Sequence, residues 1–217
     1  MDMTLYLGTK NYSSWSLRPW LAAKKAGIEF GEVIIDFDQP DTESRILEVS
    51  PSGKVPVLIH KGLKVWDSLA ICEYFAEIEP KLWPEQSELR AVARSVSAEM
   101  HSGFLAIRKE MGMNVKANQR KVTLTNEAQK ELLRIDQIWT DLRHKHYAQG
   151  DWLFGKFSIA DAMFAPVAIR LKAYAVETSP TMQAYVETFY NDSTFLEWIK
   201  DAEQDALLLP RLECGQV

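Results

Sequence analysis

Ser50 to Ser68, nineteen residues, restricts the folds open to this chain more than any other stretch. It reads Ser-Pro-Ser-Gly-Lys-Val-Pro-Val-Leu-Ile-His-Lys-Gly-Leu-Lys-Val-Trp-Asp-Ser: a loop, a strand, a turn at His60-Lys61-Gly62, a second strand and the first residue of a helix. Proline gives no ladder donor, so Pro56 belongs at the first residue of a strand or at a turn. Val57-Leu58-Ile59 is then the strand and Val55-Pro56 its entrance. An X-Pro bond can be cis at modest cost, and a cis bond here turns the Val55 N–H and C=O outward, toward an extended peptide-like ligand paired in antiparallel fashion. Asp67-Ser68 precedes the helical pattern Leu69-Ala70-Ile71-Cys72-Glu73-Tyr74-Phe75, so Ser68 is expected near an N-cap. Free N–H groups and the helix dipole favour a carboxylate there. A ligand with peptide character and a terminal carboxylate suits both features.

The chain leading into this stretch reads as a strand from Thr4 to Gly8, a polar loop holding Tyr12, Ser13 and Ser14, and a helix from about Ser16 to Ala26. Pro19 is placed in the first turn of that helix and Gly27 at its stop. A strand over Glu32 to Phe37 and a short helix from Asp41 or Thr42 to Val49 follow, and Ser68 to Ile78 is the next helix. The order β-α-β-α-β-β-α is that of a thioredoxin-like domain, opening with a parallel crossover unit. Pro80 and Pro84 mark a linker. Beyond it no stretch reads as a strand.

The expected architecture is therefore α+β: a thioredoxin-like unit over 1–80, a linker over 81–87 and an all-helical unit over 88–217. Leu89, Val92, Val96, Met100, Phe104, Ile107 and Met111 step along one face of a single long helix. A second long helix is expected from about Asn126 to Gln149, after a polar loop from Met113 to Leu124. Phe157-Ser158-Ile159-Ala160-Asp161 is a helix start, with Ser158 as cap, Asp161 as the acidic member of a capping box and Phe157 available as a staple. Helices near Thr181 to Tyr190 and Thr194 to Ala206 complete the unit, and the tail after Leu209 is expected to be mobile.

Composition narrows the function classes. The formal net charge is -5, so no polybasic patch recommends nucleic acid as a partner. No apolar run reaches membrane-spanning length, and nothing resembles a signal peptide. Of the two cysteines, Cys72 falls on a core-facing helix stripe and Cys214 in a polar tail as an exposed free thiol, which fits a reducing cytoplasm. His144 and His146 point to different faces and lack supporting ligands, so no metal is expected. Gly53-Lys54 is followed by Val55 where a P-loop requires Ser or Thr.

Val55-Pro56 and Asp67-Ser68, set across a β-hairpin, resemble the glutathione site of the cytosolic glutathione transferases. In that family a cis-proline presents the backbone to the cysteinyl residue of glutathione, and an acidic-Ser pair holds its γ-glutamyl end. The usual Glu is here Asp67, one methylene shorter. Ser13-Ser14-Trp15-Ser16-Leu17-Arg18 resembles the Ser-Ser-Cys-x-x-Arg entrance of zeta-class enzymes, with Trp15 in place of the cysteine, and suggests a bacterial, serine-type member with a zeta- or theta-like entrance. That match puts the catalytic serine on Ser13, with Ser14 as the alternative, and speaks against cysteine-dependent disulfide exchange. The Ser158-x-x-Asp161 segment is also similar to one in the family.

The resemblance implies glutathione as co-substrate, held by Lys54, Val55, Pro56, Asp67 and Ser68. It further implies a small, mostly apolar electrophile as acceptor, no metal, and a cytoplasmic homodimer with a role in detoxification. The serine acts as hydrogen-bond donor to sulfur, not as nucleophile. Lowering a thiol pKa of about 8.5 by two units takes roughly 2.7 kcal/mol of anion stabilisation, which a hydroxyl donor and a helix N-terminus together supply. Arg18 is assigned either a structural ion pair or the glycine carboxylate of glutathione, and His101 a structural or solvated place. Two alternatives share the fold. One is a maleylacetoacetate-type isomerase, with Arg108 and Arg170 as cationic candidates by position; the other is a non-catalytic module that binds proteins or apolar ligands.

Overall fold

Strands β1 (Met3–Gly8) and β2 (Gly31–Ile35) run parallel, joined over one face by helix α1 (Ser14–Ala26). Their alternation buries Leu5 and Leu7 completely beneath α1. After α2 (Thr42–Val49), the hairpin of β3 (Val57–His60) and β4 (Leu63–Trp66) adds to the free side of β1, giving the order β2-β1-β3-β4. Helix α3 (Ser68–Ile78) then returns to pack against α1. This is the thioredoxin-like order expected, in a computed structural model that describes residues 2–216.

Register decides where the chemistry gathers. β1 and β3 are antiparallel with Tyr6 opposite Val57, and β3 and β4 are antiparallel with Val57 opposite Trp66. The loop after β1, the Val55-Pro56 entrance of β3 and the Asp67-Ser68 exit of β4 therefore meet at one end of the sheet. The Val55-Pro56 bond is cis.

Among the described residues no strand follows β4, and six further helices build the rest: α4 (Ser87–Ser102), α5 (Leu105–Glu110), α6 (Asn126–His146), α7 (Ile159–Ala173), α8 (Pro180–Tyr190) and α9 (Ser193–Gln204). Helix α7 is buried along nearly its whole circumference, as a helix apolar all round must be, and packs on α1, α4 and α8. Asp161 anchors its start. This fully buried carboxylate accepts from the Ser158 N–H (2.8 Å), the Ser158 hydroxyl (3.0 Å), the Leu153 N–H (2.9 Å) and the Tyr185 hydroxyl (2.6 Å).

Several elements differ from the sequence reading. The long helix expected from Leu89 to Met111 is two helices, broken at Gly103-Phe104. Gly103 has ψ -165 and Phe104 φ 59, so the backbone leaves the helix there, and a Cβ on Gly103 would lie 2.9 Å from the Glu99 carbonyl, which favours glycine at the break. The apolar spacing runs through the break because Met100, Phe104, Ile107 and Met111 all reach the same core. Helix α1 begins two residues earlier than expected, which makes Pro19 its sixth residue rather than part of its first turn. Strand β2 stops at Ile35, and the last three residues assigned to the second long helix, Tyr147–Gln149, form a separate 3-10 turn.

The tail is not loose. Gln216 exchanges backbone hydrogen bonds with Lys121 at 2.8 and 2.9 Å, Arg211 holds Asp38 through two contacts of 2.8 Å, and Glu213 is gripped by Arg120, Asn114 and the Tyr12 hydroxyl. Cys72 is buried as expected, whereas Cys214 is half-buried, its Sγ near the Lys109 carbonyl; both are free thiols.

Candidate active site at the end of the sheet

Ser13 is the residue before α1, and its hydroxyl donates to Ser16 Oγ at 2.7 Å. Ser16 Oγ in turn accepts the Gly8 N–H at 3.0 Å, which ties the first turn of α1 to the end of β1. The Ser14 hydroxyl makes no hydrogen bond among the described residues. Opposite this loop stands Val55, whose N–H and C=O have no partner among the described residues because the β3 ladder starts only at Val57. Ser50, one of the buried polar residues, holds the approach: its hydroxyl donates to the Lys54 carbonyl (2.7 Å) and accepts the Lys54 N–H (3.2 Å). The Lys54 side chain is exposed and does not line the cavity beside the serines.

Asp67, not Ser68, is the N-cap of α3. It adopts φ 78, and its Oδ1 accepts from Leu69 N–H (2.9 Å) and Ala70 N–H (3.1 Å). Its Oδ2 lies 3.0 Å from His101 Nε2 on α4. The cap thus uses the second and third amides of the helix and leaves the Ser68 N–H and its buried hydroxyl without partners among the described residues. An unpaired buried hydroxyl is costly unless something fills the place. The serine loop, the Val55 backbone and Ser68 lie at the same end of the sheet; His101 and Ser50 were not assigned to the site.

Residues 12–78 match the family model for the glutathione S-transferase N-terminal domain. The solved structure of a Burkholderia glutathione transferase homolog with bound glutathione superposes with a TM-score of 0.72 at 26% identity, covering 93% of this chain and 98% of that one. The match is to the N-terminal part of the chain, and over nearly its full length the chain is similar to glutathione transferases in sequence and fold. Curated relatives include a probable maleylacetoacetate isomerase of Caenorhabditis elegans, 26% identical over 93% of this chain and 94% of that protein. A stringent starvation protein A homolog of Coxiella burnetii is likewise 26% identical, over 94% of each chain.

One wall of the candidate site is cationic. A cavity of about 370 Å³ is lined by Ser13, Ser14 and Val55 and, facing them, by Arg108, Arg170 and Arg211. The lining expected for a mostly apolar acceptor is therefore interrupted by three guanidinium groups. Arg18 sits close by, fully buried, and forms no ion pair among the described residues, so its expected structural ion pair is not found. Burial, then repulsion from Arg108 and Arg170, pull its pKa well below the usual arginine range. Arg170 is brought down to about 9, by burial first and by Arg108 second. Burial likewise lowers the pKa of His101, and its contact with Asp67 only partly opposes this. Among the described residues no cluster of three or more His, Cys, Asp or Glu is placed to hold a metal, and no helix is long and apolar enough to cross a membrane.

Proposed function

We propose that this protein is a serine-type glutathione transferase. It binds glutathione across Val55 and Asp67-Ser68 and stabilises the thiolate from the Ser13–Ser14 loop, for attack on a small electrophile. One observation carries the reading: the Ser68 hydroxyl and N–H and the Val55 backbone are unpaired at the same sheet end that presents the serines. The Ser68 groups suit the γ-glutamyl carboxylate at the start of α3, and Val55 suits the peptide backbone of the cysteinyl residue.

In the reaction the thiol proton leaves to solvent, the thiolate attacks the electrophilic carbon, and the leaving group departs with the bonding pair. Ser13 serves as donor to sulfur. A hydroxyl both donates and accepts, so the Ser13–Ser16 hydrogen bond can reverse: Ser16 then donates to Ser13 and frees the Ser13 proton for the anion. The Ser14 hydroxyl is the second donor available. Glutathione-dependent isomerisation of a diacid uses the same thiolate, which adds to the double bond and, after rotation about the resulting single bond, is eliminated again, so that glutathione is regenerated.

The reading assigns residues 1–80 to glutathione, 81–87 to the linker and 88–217 to the acceptor. It takes a cytoplasmic homodimer as the working form and detoxification as the role. Titration calorimetry with glutathione in two buffers of different ionisation enthalpy tests it. Binding with release of a substantial fraction of a proton near neutral pH is expected. No binding at millimolar glutathione refutes it and leaves the non-catalytic binding module.

A further inference from the structure

His101 on α4 ends at the carboxylate that caps α3, with its Nε2 3.0 Å from Asp67 Oδ2. Its other nitrogen, Nδ1, is buried and has no partner among the described residues. That asymmetry fixes the tautomer. A proton on Nδ1 would be a buried donor with nothing to accept it, and would leave the Nε2 lone pair opposed to Oδ2. A proton on Nε2 faces a carboxylate at hydrogen-bonding distance. Carrying both protons adds the orphaned Nδ1–H to the cost of a partly buried charge. Burial is the first cause that lowers the pKa of the ring; of the charged groups facing it, Asp67 raises it, while Arg18 of α1 and Arg108 of α5 lower it. Trp15 of α1 meets the ring edge to face at 5.4 Å. The imidazole is therefore neutral near neutral pH.

Asp67 has few lone pairs to spare. Its Oδ1 is taken by the Leu69 and Ala70 amides, so Oδ2 is the oxygen left for a ligand, and His101 is the side chain beside it. The free amino-acid end of glutathione carries an ammonium next to its carboxylate. With that carboxylate on the Ser68 groups, the ammonium falls to Oδ2. Two donors then share one oxygen, an arrangement that a neutral imidazole allows and an imidazolium opposes by like-charge repulsion. Arg18 and Arg108 add to that repulsion, since neither takes part in an ion pair among the described residues. We propose that His101 is a positioning residue for glutathione: neutral, it holds Asp67 Oδ2 toward the γ-glutamyl ammonium, and protonated, it drives the ammonium out. The inference rests on the glutathione transferase reading above.

The test follows binding of S-methylglutathione, which has no thiol to titrate, by calorimetry from about pH 7.5 down to about pH 5. Its Kd is expected to rise at least about threefold over that range, with a midpoint that coincides with the His101 ring titration followed by proton NMR. Reciprocally, saturating S-methylglutathione lowers the His101 pKa. His101→Gln keeps an N–H donor that does not titrate: its Kd stays within about twofold of wild type at about pH 7.5, and the pH dependence disappears. His101→Leu loses the donor and weakens binding about fivefold at the same pH.

The NMR titration uses the unaltered protein and decides the matter even where a variant folds poorly. A wild-type Kd that does not change with pH overturns the proposal. So does a pH dependence of the same size in His101→Gln, which assigns the titrating group elsewhere, and so does unchanged affinity in His101→Leu. If S-methylglutathione fails to bind at millimolar concentration at every pH, the transferase reading and this inference fall together. Binding that ignores pH refutes the inference alone.

Discussion

A single hydroxyl proton separates the resting and reactive forms of the serine loop. Ser13 spends it on Ser16 in the structure, so under the proposed mechanism Ser16 decides whether Ser13 can serve sulfur. Ser13→Ala is expected to lower kcat by about a hundredfold with little change in glutathione Kd, the usual scale for one preorganised donor. Ser16→Ala should cost less, about tenfold, and both should raise the thiol pKa seen by ultraviolet titration of the bound thiolate. Ser68→Ala removes an unpaired hydroxyl and should weaken glutathione binding about tenfold in calorimetry.

His101 gives a pH signature. Its pKa is lower in the folded protein than the ordinary 6.5, mainly through burial, with Asp67 pulling upward and Arg18 and Arg108 pushing down. The unfolded chain therefore takes that proton first. His101 contributes stability that is present above about pH 6.5 and is lost as pH falls toward the folded value. Urea unfolding as a function of pH should show this slope in the wild type and a shallower one in His101→Asn. Serines near a helix start were legible in the sequence; the Asp67–His101 contact was not, because it joins residues on two elements that only packing brings together.

Helix starts and helix breaks illustrate the same division among the elements. The capping segment at Ser158 was readable because all its parts lie within four residues. The role of Asp161 was only half readable, since Leu153 and Tyr185 come to it from outside that window. Asp161→Ala leaves four donors without their acceptor and should destabilise the protein by about 3 kcal/mol in urea unfolding. The break at Gly103-Phe104 is not legible in the sequence, for the opposite reason. Periodicity reports which residues face the core, and residues on both sides of the break face it.

At the scale of the molecule, the C-terminal tail lines the candidate site. Arg211 and Leu212 line the cavity, and Glu213 holds the Tyr12 hydroxyl one residue before Ser13. Truncation after Leu209 removes both and should raise the acceptor KM several-fold and lower Tm by a few degrees, about the shift expected for a loss near 1 kcal/mol. Unchanged acceptor kinetics in the truncated chain would show that the tail acts on stability alone. Leu63 and Trp66 on the edge strand β4, with Ile78 on α3 and Val92 on α4, expose apolar surface on three successively packed elements. If the protein is a homodimer through this face, Trp66→Glu should shift it to monomer in analytical ultracentrifugation.

The sequence by itself determined the order of strands and helices through α3, the place of the cis-proline, the serine loop and the start of α7. Each is written in local spacing, turn chemistry and the covalent limits of proline, and needs no distant partner. Only the tertiary structure decided that Asp67 is the cap and Ser68 the free group, that Arg108 and Arg170 line the cavity beside the serine loop, and that Arg211 and Leu212 of the tail line it too. Those outcomes depend on which polar groups remain unpaired after the helices pack, a property of the whole assembly that no stretch of the chain encodes alone.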